Sequence, residues 1–312
     1  MDTLSRILDL LHFNATFYYA TNFQAPWSIE VPAFRNVARF HYVTQGACWV
    51  RIEGVEPRLL LPGDIIIIPH GARQILSDAP DREPTPLEQA YEEYGYDGQG
   101  MFRIGESLSV HDTRLICGHF EFEEMFHHPL VDNLPACIVR NENDGREFSW
   151  VKDMLRFMAH TAKEQNDGSA AIIKRLSEVI FIQAVRFWQN SNTQSTGFVA
   201  ALADAQLARG LKAFHDDPAA GWTLVKLARA SGMSRSLFAE RFKHYLDMTP
   251  MQYVTGWRMQ SARQLLADDG YSIDRVAGLV GYDSVAAFSK AFKRVLDINP
   301  GEYRRRLKKR AA

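Results

Sequence analysis

The feature that most constrains this chain is a stretch of seventeen residues that occurs twice near its C-terminus. SRSLFAERFKHYLDMTP, residues 234–250, returns fifty residues later as SVAAFSKAFKRVLDINP, residues 284–300. The shared positions carry serine first, phenylalanine fifth and ninth, lysine tenth, a Leu-Asp pair next and proline last. A chain that repeats such a pattern in register is expected to build the same small unit twice.

Each copy carries the local signals of a capped helix behind a tight turn. The leading serines, Ser234 and Ser284, are of a type that accepts hydrogen bonds from the unpaired N–H groups of a first helical turn. The two phenylalanines, four residues apart, lie on one face of such a helix and are expected in a core. Upstream, TLVKLARA and SIDRVAGLV predict short helices that run into the glycine-containing turns SGM and GYD. The unit is therefore predicted to be a helix-turn-helix.

In a helix-turn-helix the second helix enters the DNA major groove, and its early outward residues reach base edges. Arginine and lysine pair with guanine or phosphates, glutamate accepts from cytosine, and small apolar groups touch the thymine methyl. The faces opposite the phenylalanines therefore predict a DNA-binding set: Arg235, Ser236, Ala239, Glu240 and Lys243 in the first copy, and Val285, Ala286, Ser289, Lys290 and Lys293 in the second. The second copy has fewer polar groups, so we expect it to discriminate less between sequences.

The intervening MQYVTGWRMQSARQLLADDG predicts a long helix that sets the copies about one turn of DNA, roughly 34 Å, apart. A helical bundle that repeats for packing reasons alone, acting as a structural adaptor, is the alternative.

Charge is divided unevenly along the chain. Residues 1–200 hold 17 Lys+Arg against 26 Asp+Glu, and residues 201–312 hold 19 against 11, so net charges of −9 and +8 make up the total of −1. The basic end is a candidate for binding a polyanion. No apolar run is long enough to cross a membrane and the N-terminus is not that of a signal peptide, so we expect a cytoplasmic protein without a membrane partner.

The duplicated region and its flanks closely resemble the double helix-turn-helix domain of AraC/XylS-type bacterial transcription regulators. The resemblance covers about residues 205–306 and includes GYDSVAAFSKAFKR followed by PGEYRR. It implies a regulator, commonly an activator, that binds asymmetric or direct-repeat sites in double-stranded promoter DNA and recruits RNA polymerase. The family's base-reading positions fall on Ser236, Ala239 and Glu240 in the first copy, and on Val285, Ala286 and Lys290 in the second.

The sequence of about residues 27–76 predicts β-structure. RFHYV, CWVRIEG and RLLLPGDIIIIPHGARQIL are short β-rich runs separated by turns, and residues 78–100, acidic and rich in Pro and Gly, predict an exposed loop. PGDIIIIPHGARQ resembles the second motif of the cupin barrel. The layout of the front half looks like the subclass of cupins that precedes AraC-type domains. This resemblance implies that the front half senses a small molecule. A metal-binding cupin would carry histidine at Gln74 and further ligands upstream, where this chain has Phe34, Asn36 and Arg39. We therefore expect no metal and no cofactor, and a metal-dependent cupin enzyme with a helical appendage is the alternative function.

Several polar residues of the predicted strands are candidates for effector binding at the barrel mouth: Arg39, His41, Trp49, Arg51, Cys117 and His119. Cys117 and His119 share a strand face because side chains alternate. Three interpretations of this pair stay open: a buried thiol beside a histidine, a metal site completed by His111, His127 or His128, and a redox-sensing thiol.

Two amphipathic segments within residues 147–189 predict an antiparallel helix pair joined by the NDG turn. Their apolar residues, Ile172, Ile173, Leu176, Val179, Ile180 and Ile182, are more than one helix face buries alone, which favours a homodimer contact. The predicted organisation is thus α+β: a cupin-like regulatory β-barrel over 1–140, a helical dimerisation segment over 141–189, a linker over 190–204 and an all-α double helix-turn-helix domain over 205–312.

Overall fold

The computed structural model of the 312-residue chain describes residues 3, 5–6, 13–98, 100–106, 109–122, 129–140, 149–164, 166–191, 197–268 and 270–311. The chain divides into two compact units. One, here called the β unit, comprises residues 12–124 and 134–191; the other, the helical unit, comprises residues 1–11, 125–133 and 192–312. The α+β class predicted from the sequence is confirmed.

The β unit contains two sheets around one apolar core. The strands are β1 (Phe13–Phe23), β2 (Ser28–Val31), β3 (Val37–Gln45), β4 (Cys48–Ile52), β5 (Val55–Leu60), β6 (Ile65–Ile68), β7 (Gln74–Ser77), β8 (Thr85–Pro86), β9 (Phe102–Ile104), β10 (Arg114–Phe122) and β11 (Ile138–Arg140). One sheet has the order β11-β6-β3-β10-β1-β9 and the other β5-β4-β7-β2-β8. All four isoleucines of β6 are buried, as expected of a strand covered on both faces. In the first sheet Cys117 pairs with His41 and His119 with Arg39, which places four of the six effector candidates on two neighbouring strands.

Residues 78–100 are not a fully exposed loop. They contain β8 and the helix α1 (Leu87–Glu93), whose Ala90 is buried. The rings of Tyr91 and Tyr96 each lie 5.1 Å from the ring of Phe102 in the core. The prediction missed this helix because its single apolar turn is hidden in an acidic, Pro- and Gly-rich run.

The predicted helix pair is confirmed as α3 (Ser149–Glu164) and α4 (Ser169–Ser191), joined by a turn in which Gly168 has φ of +86°. Phe181 of α4 packs on the large sheet, with ring centroids 5.3 Å from Phe120 and 5.4 Å from Phe122. Ile180 is buried, whereas Ile172 and Val179 remain exposed. Residues 141–148 of the predicted dimerisation segment lie outside the described residues.

The helical unit contains α2 (Pro129–Asp132), α5 (Phe198–Ala203), α6 (Ala205–Asp216), α7 (Leu224–Ser231), α8 (Arg235–Leu246), α9 (Pro250–Ala267), α10 (Ile273–Leu279), α11 (Val285–Leu296) and α12 (Pro300–Ala311). The helix α5 corrects the predicted linker over 190–204: Phe198 is buried and its ring stacks on Tyr253 at 6.1 Å. The polar run that suggested a linker is followed by the apolar FVAALA, which binds this segment to the helical unit. Residues 192–196 lie outside the described residues.

None of the helices in the described ranges combines the length and the apolar character needed to cross a bilayer.

Candidate nucleic-acid interface and candidate ligand cavity

The first helix-turn-helix is formed by α7 and α8. The helix α7 ends at Ser231, and the left-handed backbone of Gly232 (φ 67°) turns the chain. The Ser234 hydroxyl accepts from the Leu237 N–H at 3.3 Å to cap α8. Phe238 and Phe242 are buried. On the opposite face Arg235, Ser236, Glu240 and Lys243 are exposed and Ala239 is half-buried. The sequence-derived cap, turn and buried pair are all confirmed.

The second helix-turn-helix, α10 and α11, repeats this geometry. Gly281 has φ of +81° in the turn, and the Ser284 hydroxyl accepts from the Ala287 N–H at 3.2 Å. Phe288 and Phe292 are buried. On the opposite face Ala286, Lys290 and Lys293 are exposed, and Val285 and Ser289 are half-buried. The duplication extends to backbone strain, since Asp247 and Asp297, which directly follow α8 and α11, are both left-handed, with φ of 51° and 53°.

The helix α9 connects the two helix-turn-helix units, here called the first unit (α7 and α8) and the second unit (α10 and α11). It begins with a capping box, in which the Thr249 hydroxyl accepts from the Gln252 N–H at 3.3 Å and the Gln252 side chain accepts from the Thr249 N–H at 2.8 Å. Its eighteen residues span about 27 Å. Buried residues from its first half pack with the first unit, as Tyr253 does against Phe242 (5.7 Å between ring centroids). Met259 and Leu266 of its second half belong to the core of the second unit. One rigid rod therefore belongs to both cores.

Sequence reasoning missed Arg258, a buried arginine on α9. Its Nε donates to the Pro218 carbonyl at 2.9 Å, its Nη2 to the Ala220 carbonyl at 2.6 Å and its Nη1 to the Gly281 carbonyl at 3.1 Å. The only signal in the sequence is a charged residue between Trp257 and Met259, at a position where the helical period predicts burial.

The β unit contains a partly open cavity of about 220 Å³. Its wall is mostly aromatic and aliphatic, and the lining residues are Thr21, Phe23, Ile29, Val31, Pro32, Phe34, Arg39, His41, Leu76, Leu87, Glu88, Tyr91, Phe102, Cys117 and Gly118. Three of the six predicted effector residues, Arg39, His41 and Cys117, line this cavity.

The other three predicted effector residues do not line the cavity. Trp49 and Arg51 lie on β4, in the smaller sheet, and an Arg51 Nη donates to the Arg82 carbonyl. His119 pairs with Arg39 in register but lies two residues beyond Cys117 along β10. The alternation that placed His119 beside Cys117 was correct for the strand face. It did not reveal which part of that face borders the cavity.

A buried polar chain lies at the cavity wall. His41 Nδ1 is 3.1 Å from Cys117 Sγ, and His41 Nε2 is 2.8 Å from the Gln74 amide nitrogen. Burial, with the nearby Arg39 charge, lowers the pKa of His41 to about 3. Burial also raises the pKa of the Cys117 thiol far above its usual range. The imidazole is thus neutral and the thiol protonated, which disfavours the reactive thiolate that a redox sensor requires.

These residues do not fit a cupin metal centre. Gln74 stands at the position where the resemblance to metal-binding cupins implies a histidine ligand, the buried Arg39 cation lies nearby, and burial keeps the thiol protonated. Among the described residues, no three His, Cys, Asp or Glu side chains are grouped closely enough to hold a metal ion. His111 is exposed, and His127 and His128 lie outside the described residues.

Comparison with known proteins defines the class to which this fold and site belong. The cupin family matches residues 2–190 and the helix-turn-helix domain family matches residues 227–306. A putative AraC-like transcription regulator of Streptomyces lividans is 30% identical over 98% of both chains. The HTH-type transcriptional regulator AlkR of Acinetobacter baylyi is 28% identical over 97% of this chain and 99% of its own. The RCS-specific HTH-type transcriptional activator RclR of Escherichia coli is 25% identical over the whole of both chains.

The fold and site are those of a DNA-binding transcription regulator with a cupin-like domain. The chain belongs to the family of AraC-like transcription regulators.

Proposed function

We propose that the protein binds promoter DNA by inserting α8 and α11 into successive major grooves of one duplex. The observation that carries this proposal is the pair of serine-capped helices that bury the same phenylalanines and expose the opposite face. The two like helices flank α9, whose eighteen residues span about 27 Å. This length is comparable to the roughly 34 Å between successive major grooves on one side of a duplex.

The two faces differ in what they offer to DNA. Glu240 of α8 is suited to accept from a cytosine amino group, and Arg235 to pair with guanine or phosphate. In α11 the polar part of the face consists mainly of Lys290 and Lys293, while Val285 and Ala286 can contact only apolar groups such as the thymine methyl. We infer that α8 supplies most of the sequence discrimination and that α11 adds affinity.

Salt dependence of duplex binding tests this proposal. Replacing Lys243 or Lys293 by alanine should weaken binding to every duplex and reduce the slope of log affinity against log salt by about one. Lys212→Ala is the control, because Lys212 is an exposed lysine on α6 that bonds to Asp216 at 2.6 Å and lies on neither proposed recognition helix. Equal losses in the control and in the two variants would contradict the placement of α8 and α11 on DNA.

We further propose that the cavity of the β unit holds the effector, a small and largely apolar molecule with one anionic group. The apolar wall supports the first part. Arg39, buried at the wall, supports the second, because the nearby Arg39 charge contributes to lowering the pKa of both His41 and His119. An anion at this place would offset that positive field.

Paired probes separate the two parts of the effector proposal. Medium-chain and aryl carboxylates and the alcohols of the same carbon skeleton are titrated against the full chain by calorimetry. The carboxylate of each pair should bind more tightly, and Arg39→Met should abolish the difference while Arg51→Met, whose side chain lies outside the cavity, should preserve it. Equal binding of acid and alcohol by the unaltered protein would contradict the anionic group.

We propose in addition that two copies associate through α3 and α4, and that the dimer acts in the cytoplasm with RNA polymerase as a partner. The exposed Trp150 and Phe157 of α3 and the exposed Ile172 and Val179 of α4 support the dimer contact. An effector that prefers one arrangement of the dimer would shift the presentation of the DNA-binding helices. Sedimentation of Phe157→Glu beside the unaltered chain tests the contact, and an unchanged dimer would contradict it.

A further inference from the structure

Arg258 contacts backbone from both helix-turn-helix units. Pro218 and Ala220 lie in the connection between α6 and α7, which belongs to the first unit. Gly281 lies in the turn between α10 and α11, which belongs to the second. One buried guanidinium thus donates to two carbonyls of the first unit and to a third that lies about sixty residues further along the chain.

The backbone around these carbonyls is in direct contact. At Gly281, with φ of +81°, a Cβ atom would collide with the Ala219 carbonyl oxygen. The turn of the second unit therefore packs against the connection of the first with no room for a side chain. The Arg258 guanidinium also lies 5.7 Å from the centre of the Tyr282 ring, which extends the contact along the turn.

This contact supplements the connection through α9. A helix that joins two cores sets their distance, but a small bend or twist of the rod moves the far unit around its axis. A second point of attachment, placed to the side of the rod, removes that freedom. The planar fork of arginine is suited to it, because its donors point in fixed directions whereas a lysine ammonium acts as a point charge.

We propose that Arg258 is a positioning residue that fixes the relative setting of α8 and α11, and thereby the spacing between half-sites that the protein accepts. This rests on the proposed function of those helices. On B-DNA a shift of one base pair moves a half-site about 3.4 Å along the axis and about 35° around it. A rigid pair of helices should reject that shift, and a pair without the lateral attachment should tolerate it.

The test is a selection of bound sequences from a pool of random duplexes, made with the full chain. Four proteins are compared: the unaltered chain, Arg258→Met, Arg258→Lys and the matched control Arg263→Met. Arg263 is also a buried arginine of α9, but its guanidinium donates to the Tyr303 hydroxyl of α12 at 3.2 Å and to Gln260 of α9 itself at 2.7 Å. Circular dichroism establishes that each protein is folded.

The unaltered chain and Arg263→Met should enrich paired half-sites at one spacing. Both Arg258 variants should also enrich pairs one base pair shorter or longer, so that the preference for the best spacing falls by about tenfold. Their affinity for a duplex with a single half-site should stay within about twofold of the unaltered protein, since the recognition faces are untouched.

Three results would overturn the proposal: folded Arg258 variants that keep one spacing, a control that broadens the spacing equally, or loss of folding in both Arg258 variants. Failure of the unaltered chain to enrich any sequence is a different result. It would count against the proposed DNA-binding function and not against the role of Arg258 alone.

Discussion

The two helix-turn-helix units share their interior and differ on the surface. Serine caps, paired phenylalanines, left-handed aspartates and the proline that opens the next helix stand at equivalent places in both. The exposed faces differ at four of the five predicted positions, lysine at 243 and 293 being the exception. Packing restricts the residues that can fill each interior, whereas residues on the exposed faces are free to vary.

The interiors differ in one polar detail. The two equivalent tyrosines, Tyr253 and Tyr303, are each hydrogen-bonded to a different kind of partner. The Tyr253 hydroxyl is 2.7 Å from His215 Nε2, whereas the Tyr303 hydroxyl accepts from Arg263 Nε at 3.2 Å. Histidine in an unfolded chain gains a charge just below neutral pH, whereas arginine is charged throughout, so the first unit should be the more sensitive to acid.

The largest effect that tests the equivalence of the interiors is the loss of a core ring. Phe242→Ala and Phe292→Ala should each destabilise their unit by about 3–5 kcal/mol, because each removes a fully buried ring. Native-state hydrogen exchange of α8 and α11 in the full chain measures each cost locally. The control is Val295→Ala at an exposed position of α11, and a cost below about 1 kcal/mol in one phenylalanine variant alone would break the equivalence.

The next effect concerns the difference between the exposed faces. Glu240→Ala should remove about 1–3 kcal/mol of discrimination at one base pair of the first half-site. Lys290→Ala should weaken binding with less change in the preferred base. Competition between duplexes that differ at single base pairs measures both. A stronger change of preference in Lys290→Ala would reverse the assignment of the more discriminating unit.

Acid should destabilise the first unit before the second. Burial, with the Arg6 charge, lowers the pKa of His215 to about 3, while Asp216 acts in the opposite direction. His215 Nδ1 also has no hydrogen-bond partner among the described residues. Below about pH 6.5, His215 of the unfolded chain binds a proton, whereas His215 of the folded unit stays neutral. The free energy of unfolding therefore falls by up to about 1.4 kcal/mol per pH unit, until the pH reaches the pKa of the folded His215.

Hydrogen exchange at pH 7 and pH 5 measures this difference. Opening of α8 should become easier by about 2 kcal/mol at the lower pH, relative to α11. His215→Gln, which does not titrate, should remove the extra pH dependence whatever it does to stability at pH 7. An unchanged dependence in that variant would assign the acid sensitivity to another group.

The smallest effect expected is that of the helix caps. Ser234→Ala and Ser284→Ala should each destabilise their unit by about 1 kcal/mol, because each leaves a first-turn N–H without its acceptor. The aspartate variants, which restore an acceptor, should recover most of that loss. Thermal unfolding of the full chain, read beside the local exchange rates, measures the cost. A markedly larger loss in one copy would show that the two caps are not equivalent.

Much of the helical unit follows from local signals. Caps, turns, the buried phenylalanines and the long intervening helix depend on residues within a few positions of one another, so a single sequence contains their causes. The same logic located the isoleucine strand β6 and the helix pair of the β unit. It failed for α1 and α5, where one apolar turn lies inside or behind a polar run and only packing on a core makes it a helix.

The candidate sites were less accessible to sequence reasoning. Strand alternation predicted that Cys117 and His119 share a strand face, but Cys117 lines the cavity and His119 does not. His41, 76 residues away along the chain, is the side chain that contacts the Cys117 thiol, through a register that no local pattern specifies. Contacts of this kind depend on how strands pair across long separations.

By itself the sequence determined the repeated unit, because its capped helices and buried faces are encoded at spacings of three and four residues. Only the tertiary structure decided how the two units are held together. Arg258 donates to both the connection at Pro218 and the turn at Gly281 because folding brings these two distant backbone segments together around its side chain. No local sequence pattern predicts such a contact.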